Sequence, residues 1–445
     1  MATFVERPRS ACALSGALVT VTSLPGVVPI VHAASGCAGN LSGVAAFGGG
    51  NYGSGNCGAG TIPTSSITET EIVFGGAERL REEIQSTFEL MDAELYVVAT
   101  GCMTEMIGDD TGGVVNEFSG DYPIIAISTP SFKGDSYAGY EIALDGIFNR
   151  FLPRGDAKKD AKLVNIFGVI PAYDPFFRGD LEELARLIGR LGLRANTFFT
   201  PDQTFDNIRS APNAALNIVF SRAYGIGFAE RFEERHGTPF WVTDLPIGPE
   251  ATDAFLTELA ARAGVAPAIA STAIESENAL YYGYFERTVD AFADGNMKYF
   301  SVTVTNSNYA LPLARFAYRE LGWVLLDSYI TDQLDDIQRE AVTQAFAATG
   351  ILAPPTFQTD TSLIAKSVTE RGPRNRGERY FDDITPLFIL GSSLEKQTAA
   401  KRGAGQLSVS FPAFNRMIVD RGYAGYRGGL HLFEDIVGSL VVSKG

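Results

Sequence analysis

The sequence contains very few thiol and imidazole side chains, and the thiols are unevenly distributed. Its 445 residues include 4 cysteines, and none of them follows Cys102. This number is too small for a disulfide scaffold in so long a chain, and the clustering in the first quarter favours a metal site in a reducing compartment. Because His32, His236 and His431 are the only histidines, a histidine-rich zinc or copper site is disfavoured.

The chain also lacks the basic surplus that is typical of nucleic-acid-binding proteins. It has 36 basic against 52 acidic residues, a net charge of −16, which the phosphates of a nucleic acid would repel. No Walker motif is present, so we expect no ATP hydrolysis by this chain itself. Residues 53–58 fit G-x-G-x-x-G literally, but a glycine tract precedes them instead of an apolar strand. We therefore interpret 53–58 as a loop and not as a dinucleotide site.

No segment has the length and hydrophobicity of a membrane span, which needs about 20 strongly apolar residues. The nearly uncharged segment 11–31 comes nearest, but Pro25 and Pro29 interrupt it. Residues 33–37 faintly resemble an export cleavage site, although Glu6 accompanies the basic residues that precede the apolar segment. We therefore interpret 11–31 as a buried strand–helix segment, and we expect a cytoplasmic chain, not bound to a membrane, that keeps its N-terminus.

Apolar runs of strand length alternate with helical segments along the chain. A chain this long predicts two to four domains, and the alternation is typical of parallel sheets covered by helices. Buried strands are predicted at 95–100, 124–128, 163–170, 216–220, 240–243, 299–304 and 323–326. We predict an α/β fold of three doubly wound, Rossmann-like domains with parallel sheets. Their predicted limits are 1–158, which carries the cysteines, 159–290 and 291–445.

Two polar side chains come directly after predicted strands. Cys102 follows the strand 95–100, and Ser131 follows the strand 124–128. Open α/β sheets bind their ligands at the carboxyl ends of strands, which makes both residues candidates for a site. Taken alone, Ser131 is equally typical of a turn or a helix cap.

The segment between these strands is predicted to form one helix over residues 104–117. Asp109 and Asp110 lie in it and could form a carboxylate pair, but we interpret them as solvated polar residues. His32, in an apolar setting, is interpreted as a structural histidine that can hydrogen-bond near the candidate site.

Three of the cysteines lie beside small residues. Cys12 follows an alanine, and Cys37 and Cys102 each follow a glycine; small neighbours let a bulky inorganic group approach the backbone. We predict that these thiolates hold an iron–sulfur cluster. Three thiolates are one fewer than a closed four-thiolate site needs, so another chain, Cys57 or oxygen ligands would complete it. The alternative is that they are buried cysteines that behave as small hydrophobic residues.

Several short blocks of the chain together carry a family signature. One is His32-Ala-Ala-Ser-Gly-Cys37, with Cys12 upstream of it, and another is Cys102-Met-Thr-Glu-Met-Ile-Gly-Asp-Asp110. Further blocks are Ser66-Ile-Thr-Glu69, Val73-Phe-Gly-Gly76, Thr129-Pro-Ser-Phe-Lys-Gly134, Pro246-Ile-Gly248, Phe411-Pro412 and Gly425-Tyr-Arg-Gly428. In these blocks and in their order, the chain resembles the component 1 subunits of nitrogenase and nitrogenase-like reductases, and the β (K-type) subunit more than the α.

The resemblance implies an α2β2 assembly of three-domain subunits with a shared metal cluster. An eight-iron P-cluster (8Fe–7S) lies at each αβ interface of the family and takes three cysteines from each subunit. Cys12, Cys37 and Cys102 match the β-side ligands. Ser131 matches a serine that can ligate the oxidised P-cluster, and Phe74 matches a phenylalanine at the docking surface for the ATP-dependent iron-protein reductase.

The resemblance further implies a division of roles between the two subunits. Electrons would pass from the reductase to the P-cluster and then to a catalytic iron–sulfur cofactor in the α subunit. An α-type subunit anchors that cofactor through a later cysteine and a histidine, and no cysteine follows Cys102 here. The chain is therefore expected to be the electron-relay subunit, without catalytic residues of its own, and Cys57 is interpreted as structural.

Some positions depart from the nitrogenase pattern. Ala33-Ala-Ser35 replaces the usual Gly-Ser-Gln, Asn40 stands where nitrogenase β subunits often carry a tyrosine, and the long N-terminal extension of some β chains is absent. We therefore expect a nitrogenase-like enzyme, with methylthio-alkane reductase, which cleaves carbon–sulfur bonds of methyl thioethers, as the leading hypothesis. The alternatives are a true nitrogenase β subunit, a non-catalytic scaffold for cofactor assembly, and a tetrapyrrole-reductase-type subunit with a simpler cluster.

Overall fold

Three parallel sheets follow one another along the chain. The structure is a computed structural model, and it describes residues 5–51, 62–154, 158–288, 299–351, 353–370 and 386–442. The predicted α/β fold with doubly wound parallel sheets is confirmed. The predicted domain limit after residue 290 lies outside the described residues, and the three domain ranges stay predictions.

The first sheet has three strands, whose carboxyl ends lie side by side. They are β1 (Val27–His32), β2 (Leu95–Thr100) and β3 (Ile124–Ser128), in the order β1-β2-β3. The register pairs His32 with Thr100 and Thr100 with Ser128, so all three strands end at one level. Its helices are α1 (Ala13–Ser23), α2 (Ser35–Gly48), α3 (Glu69–Phe74), α4 (Ala77–Leu90), α5 (Cys102–Ile107), α6 (Thr111–Phe118) and α7 (Ser136–Leu144), the last continued by a π-helical segment, Asp145–Phe151.

The second sheet has four strands in the order β5-β4-β6-β7. They are β4 (Asp160–Phe167), β5 (Arg194–Asn196), β6 (Ala214–Val219) and β7 (Phe240–Val242). Its helices are α8 (Phe177–Arg190), α9 (Phe205–Ser210), α10 (Ile226–His236), α11 (Pro249–Arg262) and α12 (Pro267–Phe285).

The third sheet has five strands in the order β10-β9-β8-β11-β12. They are β8 (Phe300–Thr305), β9 (Val324–Ile330), β10 (Pro355–Phe357), β11 (Leu387–Gly391) and β12 (Gly405–Ser408). Its helices are α13 (Ser307–Arg315), α14 (Asp336–Ala348), α15 (Thr361–Glu370), α16 (Lys396–Arg402) and α17 (Gly425–Val442). Helix α17 packs against α8, α11 and α12, and so joins the end of the chain to the helices of the second sheet.

One interior strand of the first sheet and one of the third sheet are buried along their whole length. Strand β2 is buried at every position and β11 likewise, because helices cover both faces of a parallel sheet. Strands 95–100 and 124–128 have the predicted limits. Strand β4 begins three residues before its predicted start, at Asp160, because its polar first residues still pair with a neighbouring strand.

The apolar segment 11–31 is buried as predicted, but its order is helix then strand, not strand then helix. Helix α1 ends at Ser23, before Pro25 and Gly26, whose φ of 71° favours glycine. The edge strand β1 then accommodates Pro29, which a central strand would not. No helix in the described part of the chain is both long and apolar enough to cross a membrane.

The single helix predicted over 104–117 is wrong, because the segment forms two short helices. Helix α5 ends at Ile107, and Gly108, which follows as its C-cap, has a left-handed φ of 76° that glycine adopts without a Cβ penalty. The side chain of Asp110 then accepts a hydrogen bond from the backbone N–H of Gly113 at 2.8 Å and caps α6.

Candidate functional site

Each of the three candidate cysteines lies at the start of a helix. Cys12 is the N-cap residue of α1, Cys37 lies in the first turn of α2, and Cys102 is the first residue of α5. Helices α2 and α5 follow the neighbouring strands β1 and β2, whose ends are in register. The N–H groups of a helix start lack intrahelical partners and attract negatively charged ligands, so all three positions suit metal-bound sulfur.

The three thiols lie near enough to influence one another. Burial raises the pKa of the Cys37 thiol, and the neighbouring sulfurs of Cys12 and Cys102 raise this pKa further, because thiolates in one site repel each other. All three side chains are half-buried and free of disulfides. Positive metal ions would reverse this repulsion and keep the sulfurs deprotonated.

Ser131 lies directly beside Cys102. The hydroxyl Oγ of Ser131 is 3.1 Å from the Sγ atom of Cys102, and the backbone N–H of Ser131 donates to the same sulfur at 3.1 Å. Ser131 begins the short 3-10 helix Ser131–Lys133, and its hydroxyl does not cap that helix. The geometry therefore does not favour the alternative that Ser131 simply caps a helix.

The same segment also reaches Cys12. Cys12 forms an isolated antiparallel bridge with Asp135, and the N–H of Ala13 donates to the carbonyl of Gly134 at 3.0 Å. Residues 131–135 therefore contact two of the three cysteines. Sequence reasoning did not select Asp135, because its contact with Cys12 depends on backbone pairing between segments far apart in sequence.

The glycines near the cysteines have two different roles. A Cβ on Gly39 would meet no atom within 4 Å, and on Gly36 it would meet only the side chain of Asn40, at 3.4 Å. The start of α2 thus leaves open space beside Cys37, as a bulky group requires. Gly101 differs, because its Cβ would lie 2.5 Å from that of Ala33; this glycine allows close packing against the end of β1.

The donor set fits a thiolate-bound iron cluster better than a single metal ion. Among the described residues, no three His, Cys, Asp or Glu side chains are grouped so that they could hold one ion. Three half-buried thiols with an adjacent hydroxyl do match the ligand chemistry of a multi-iron cluster that a second set of ligands completes. Cys57, the fourth thiol, lies outside the described residues.

His32 is a buried structural histidine, as predicted. Its Nδ1 lies 2.9 Å from Oγ of Ser65, and its Nε2 lies 3.1 Å from Oδ2 of Asp109. Burial lowers the pKa of His32 more than the Asp109 carboxylate raises it, so the ring is neutral near pH 7. Nε2–H then donates to Asp109, and Nδ1 accepts from the Ser65 hydroxyl.

The prediction that Asp109 is a solvated residue is wrong. Its side chain is 5% exposed and accepts hydrogen bonds from His32 and from the backbone N–H of Gly76, at 2.9 and 3.1 Å. The break at Gly108 turns Asp109 inward, which a continuous helix would not do. Asp109 and Asp110 therefore have separate roles and do not form a pair.

Phe74 is on an exposed apolar surface close to the cysteine helices. It is 84% exposed at the end of α3, beside Val73 at 71%. Helix α3 contacts α5, which carries Cys102 at its start and Met106, 77% exposed, near its end. Exposed apolar side chains grouped in this way are typical of protein-binding surfaces, and the docking role of Phe74 stays a prediction.

A half-buried carboxylate that sequence reasoning missed connects the strand ends to α5. Glu105 accepts hydrogen bonds from the hydroxyls of Thr100, at the end of β2, and Ser128, at the end of β3. Because Glu105 is on the helix that Cys102 begins, these bonds fix the orientation of that helix. The sequence feature that could have pointed to Glu105 is its position three residues after Cys102.

The fold defines the class of protein to which this chain is similar. The structure titled "Nitrogenase Cp1 at pH 6.5" superimposes with a TM-score of 0.79 over 99% of this chain and 94% of that chain, at 19% sequence identity. A second, "Nitrogenase Cp1 at pH 5", gives a TM-score of 0.72. The chain therefore has the fold of these nitrogenase proteins.

The sequence identifies the family. The family model "Nitrogenase component 1 type Oxidoreductase" matches residues 12–441, and the chain belongs to this family of oxidoreductases. The molybdenum-iron protein beta chain of Frankia alni nitrogenase is 25% identical over 98% of this chain and 82% of its own length. The nitrogenase vanadium-iron protein beta chain of Trichormus variabilis is 25% identical over 98% of this chain and 94% of its own length. The relationship to nitrogenase β chains expected from the cysteine blocks is confirmed.

Proposed function

We propose that this chain is the electron-relay β subunit of a nitrogenase-like reductase and holds half of an 8Fe–7S P-cluster. The observation that carries the proposal is that the sulfurs of Cys12, Cys37 and Cys102 lie near enough to interact electrostatically, with the Ser131 hydroxyl 3.1 Å from Sγ of Cys102. Bound there, the cluster would accept and donate single electrons. The three cysteines supply sulfur ligands, and Ser131 supplies an oxygen ligand for the oxidised state.

The proposal includes two protein partners. An α-type subunit completes the cluster in an α2β2 assembly and carries the catalytic iron–sulfur cofactor, for which this chain has no cysteine after Cys102. An ATP-dependent iron-protein reductase docks transiently at the surface formed by Phe74, Val73 and Met106. The assembly works in the cytoplasm, where free thiolates remain reduced.

Iron analysis of the purified complex, combined with EPR spectroscopy, tests the shared cluster. About eight irons per αβ pair are expected beyond those of the α cofactor. Replacing Cys12, Cys37 or Cys102 singly by alanine should lower this interfacial iron, whereas Cys57→Ala should leave it unchanged. Four interfacial irons, or an unchanged iron content in Cys12→Ala, would contradict the proposal.

We assign small methyl thioethers as the substrate class, processed in the α subunit. In this reaction two electrons and two protons convert R–S–CH3 into R–H and CH3–SH, so that one carbon–sulfur bond is reduced and cleaved. The departures at Ala33-Ala-Ser35 and Asn40 favour a nitrogenase-like branch over dinitrogen reduction, and the choice of methyl thioethers within that branch rests on overall likeness. Dinitrogen reduction is the second candidate, because the relatives described above are named as nitrogenase chains.

Product analysis separates these two activities. The complex, supplied with its reductase and ATP, should release methanethiol from a methyl thioether and little ammonia under dinitrogen. Ammonia without methanethiol would assign the chain to a true nitrogenase. A complex that binds iron only transiently and forms neither product would indicate a scaffold for cofactor assembly.

A further inference from the structure

The segment before Cys12 is attached to the third sheet region, far away in sequence. The backbone N–H of Glu6 donates to Oδ2 of Asp360 at 2.8 Å, and the N–H of Thr361 donates to the carbonyl of Arg7 at 3.2 Å. Residues 5–9 therefore lie along the start of helix α15.

Arg9 forms the strongest part of this attachment. Its side chain is 3% exposed, and that of its ion-pair partner Glu395 is 4% exposed. Nη1 of Arg9 donates to Oε2 of Glu395 at 3.0 Å and to Oγ of Ser392 at 3.1 Å, and Nη2 donates to Oε1 of Glu395. Nε donates to Oγ1 of Thr361 at 3.0 Å. The planar guanidinium is thus held in a single orientation by a two-point contact that a lysine could not reproduce.

Glu395 is itself fixed by its own surroundings. Its Oε2 accepts from the backbone N–H of Ser392 at 2.7 Å and from the Ser392 hydroxyl at 3.0 Å. Ser392 directly follows strand β11, and Glu395 ends the short 3-10 helix Ser393–Glu395 that comes next. A buried, fully hydrogen-bonded ion pair contributes more to a unique geometry than to net stability, and losing one partner leaves an uncompensated buried charge.

The other end of the segment is attached to the first sheet region. The N–H of Ala11 donates to Oγ of Ser136 at 2.9 Å, and the N–H of Ala13 donates to the carbonyl of Gly134 at 3.0 Å. Only three residue steps separate Arg9 from Cys12, a reach of about 11 Å at most. Cys12 therefore lies at this second attachment, and only residues 10 and 11 separate it from the attachment at Arg9.

We propose that the Arg9–Glu395 pair is a positioning clamp that sets the location of the Cys12 thiol through the third sheet region. This inference rests on the proposed role of Cys12 as a cluster ligand. Cys37 and Cys102 differ from Cys12, because they follow the ends of β1 and β2, which take no direct part in the hydrogen bonds of Arg9 and Glu395. Loss of the clamp consequently affects one cysteine and spares the other two.

Alkylation of the metal-free full chain tests the clamp without any cluster. N-ethylmaleimide labelling is quantified at each cysteine by mass spectrometry. Arg9→Gln and Glu395→Gln are each expected to raise the labelling rate of Cys12 about tenfold, through easier local opening. The rates of Cys37 and Cys102 stay within about twofold.

Arg7→Gln is the matched control, because Arg7 lies in the same segment and its side chain is 65% exposed. It removes the same charge and should leave Cys12 labelling unchanged. An equal rise at all three cysteines would show general loosening and overturn the clamp, as would an unchanged Cys12 rate in Glu395→Gln. Melting temperatures are recorded for each variant, so that unfolded protein is recognised.

The assembled complex gives a second readout. Glu395→Gln should alter the EPR spectrum or the midpoint potential of the interfacial cluster, which a purely structural role would leave unchanged. Arg9→Lys keeps the charge but not the two-point contact, so its spectrum and potential should lie between those of wild type and Arg9→Gln. If wild-type complex holds no interfacial cluster, the proposed function fails while the labelling result still stands. If the cluster is present but Glu395→Gln leaves both labelling and spectrum unchanged, the clamp alone fails.

Discussion

Nε2 of His32 lies 3.1 Å from Oδ2 of Asp109, and this contact joins the strand before Cys37 to the helix that Cys102 begins. The carbonyl of His32 also accepts from the N–H of Gly101 and the hydroxyl of Thr104, both at 2.9 Å. Asp109 in turn accepts from the N–H of Gly76, close to Phe74. One buried histidine therefore connects two candidate cluster ligands with the candidate docking surface.

Asp109→Asn should destabilise this connection. The carboxylate accepts from two donors, and an amide would present an N–H₂ group to one of them, at a cost of about 1–3 kcal/mol. Hydrogen exchange in helix α3 should become faster, and the unfolding midpoint should fall. Asp110→Asn is the control, because asparagine caps a helix as well as aspartate does; equal effects of the two substitutions would contradict the assigned role of Asp109.

Ser131→Ala should change the redox behaviour of the cluster without removing it. The three thiolates remain, so the iron content is unchanged. Loss of an oxygen ligand to the oxidised state should raise the midpoint potential by about 60 mV, which corresponds to a tenfold effect for one electron. EPR-monitored redox titration measures this shift.

Ser119→Ala is a suitable control for Ser131→Ala, because the Ser119 hydroxyl donates only to the carbonyl of Asn116, in its own helix. A fall in the midpoint potential of Ser131→Ala would contradict ligation. It would indicate instead that the Ser131 hydroxyl acts as a hydrogen-bond donor to the Cys102 sulfur, since such bonds stabilise the reduced state.

Phe74→Ala should weaken reductase docking but not folding. A side chain that is 84% exposed contributes at most about 0.5 kcal/mol to stability, whereas an aromatic contact at an interface contributes about 1–2 kcal/mol. The reductase concentration at half-maximal electron transfer should rise about tenfold. Leu90→Ala removes a similarly exposed side chain (82%) at the far end of α4 and should have no effect. Equal half-maximal concentrations for the two variants would argue against docking at Phe74.

Asp174 should make stability depend on pH near neutrality. Burial raises its pKa to about 7 from the ordinary 3.8, although Asn306 and Asn308 donate hydrogen bonds to it. The folded chain therefore keeps this proton while the unfolded chain loses it. The stability of wild type relative to Asp174→Asn should fall by roughly 2–4 kcal/mol between pH 4 and pH 7 and then level off.

Urea unfolding at intervals across this pH range measures the effect of Asp174. The other carboxyls whose pKa values burial raises, among them Asp135, Asp180 and Asp332, are present in both proteins, so their contributions cancel in the difference. A difference that is independent of pH would show that Asp174 is ionised throughout.

The sequence by itself determined the fold class and the identity of the candidate ligands. Buried parallel strands are continuous apolar runs, so β2 and β3 could be located to the residue. The cysteine blocks carry the family signature in local spacing. Ser131 could be selected because it follows a strand end, where α/β sheets bind ligands.

Only the tertiary structure decided which polar side chains are buried and what they contact. The residue pattern alone predicts one continuous helix, but the positive φ of Gly108 divides it into two and thereby turns Asp109 toward His32. The pairing of Arg9 with Glu395 joins residues 386 positions apart. Local propensity and periodicity contain no information about such contacts, because they depend on how separate sheets and loops pack together.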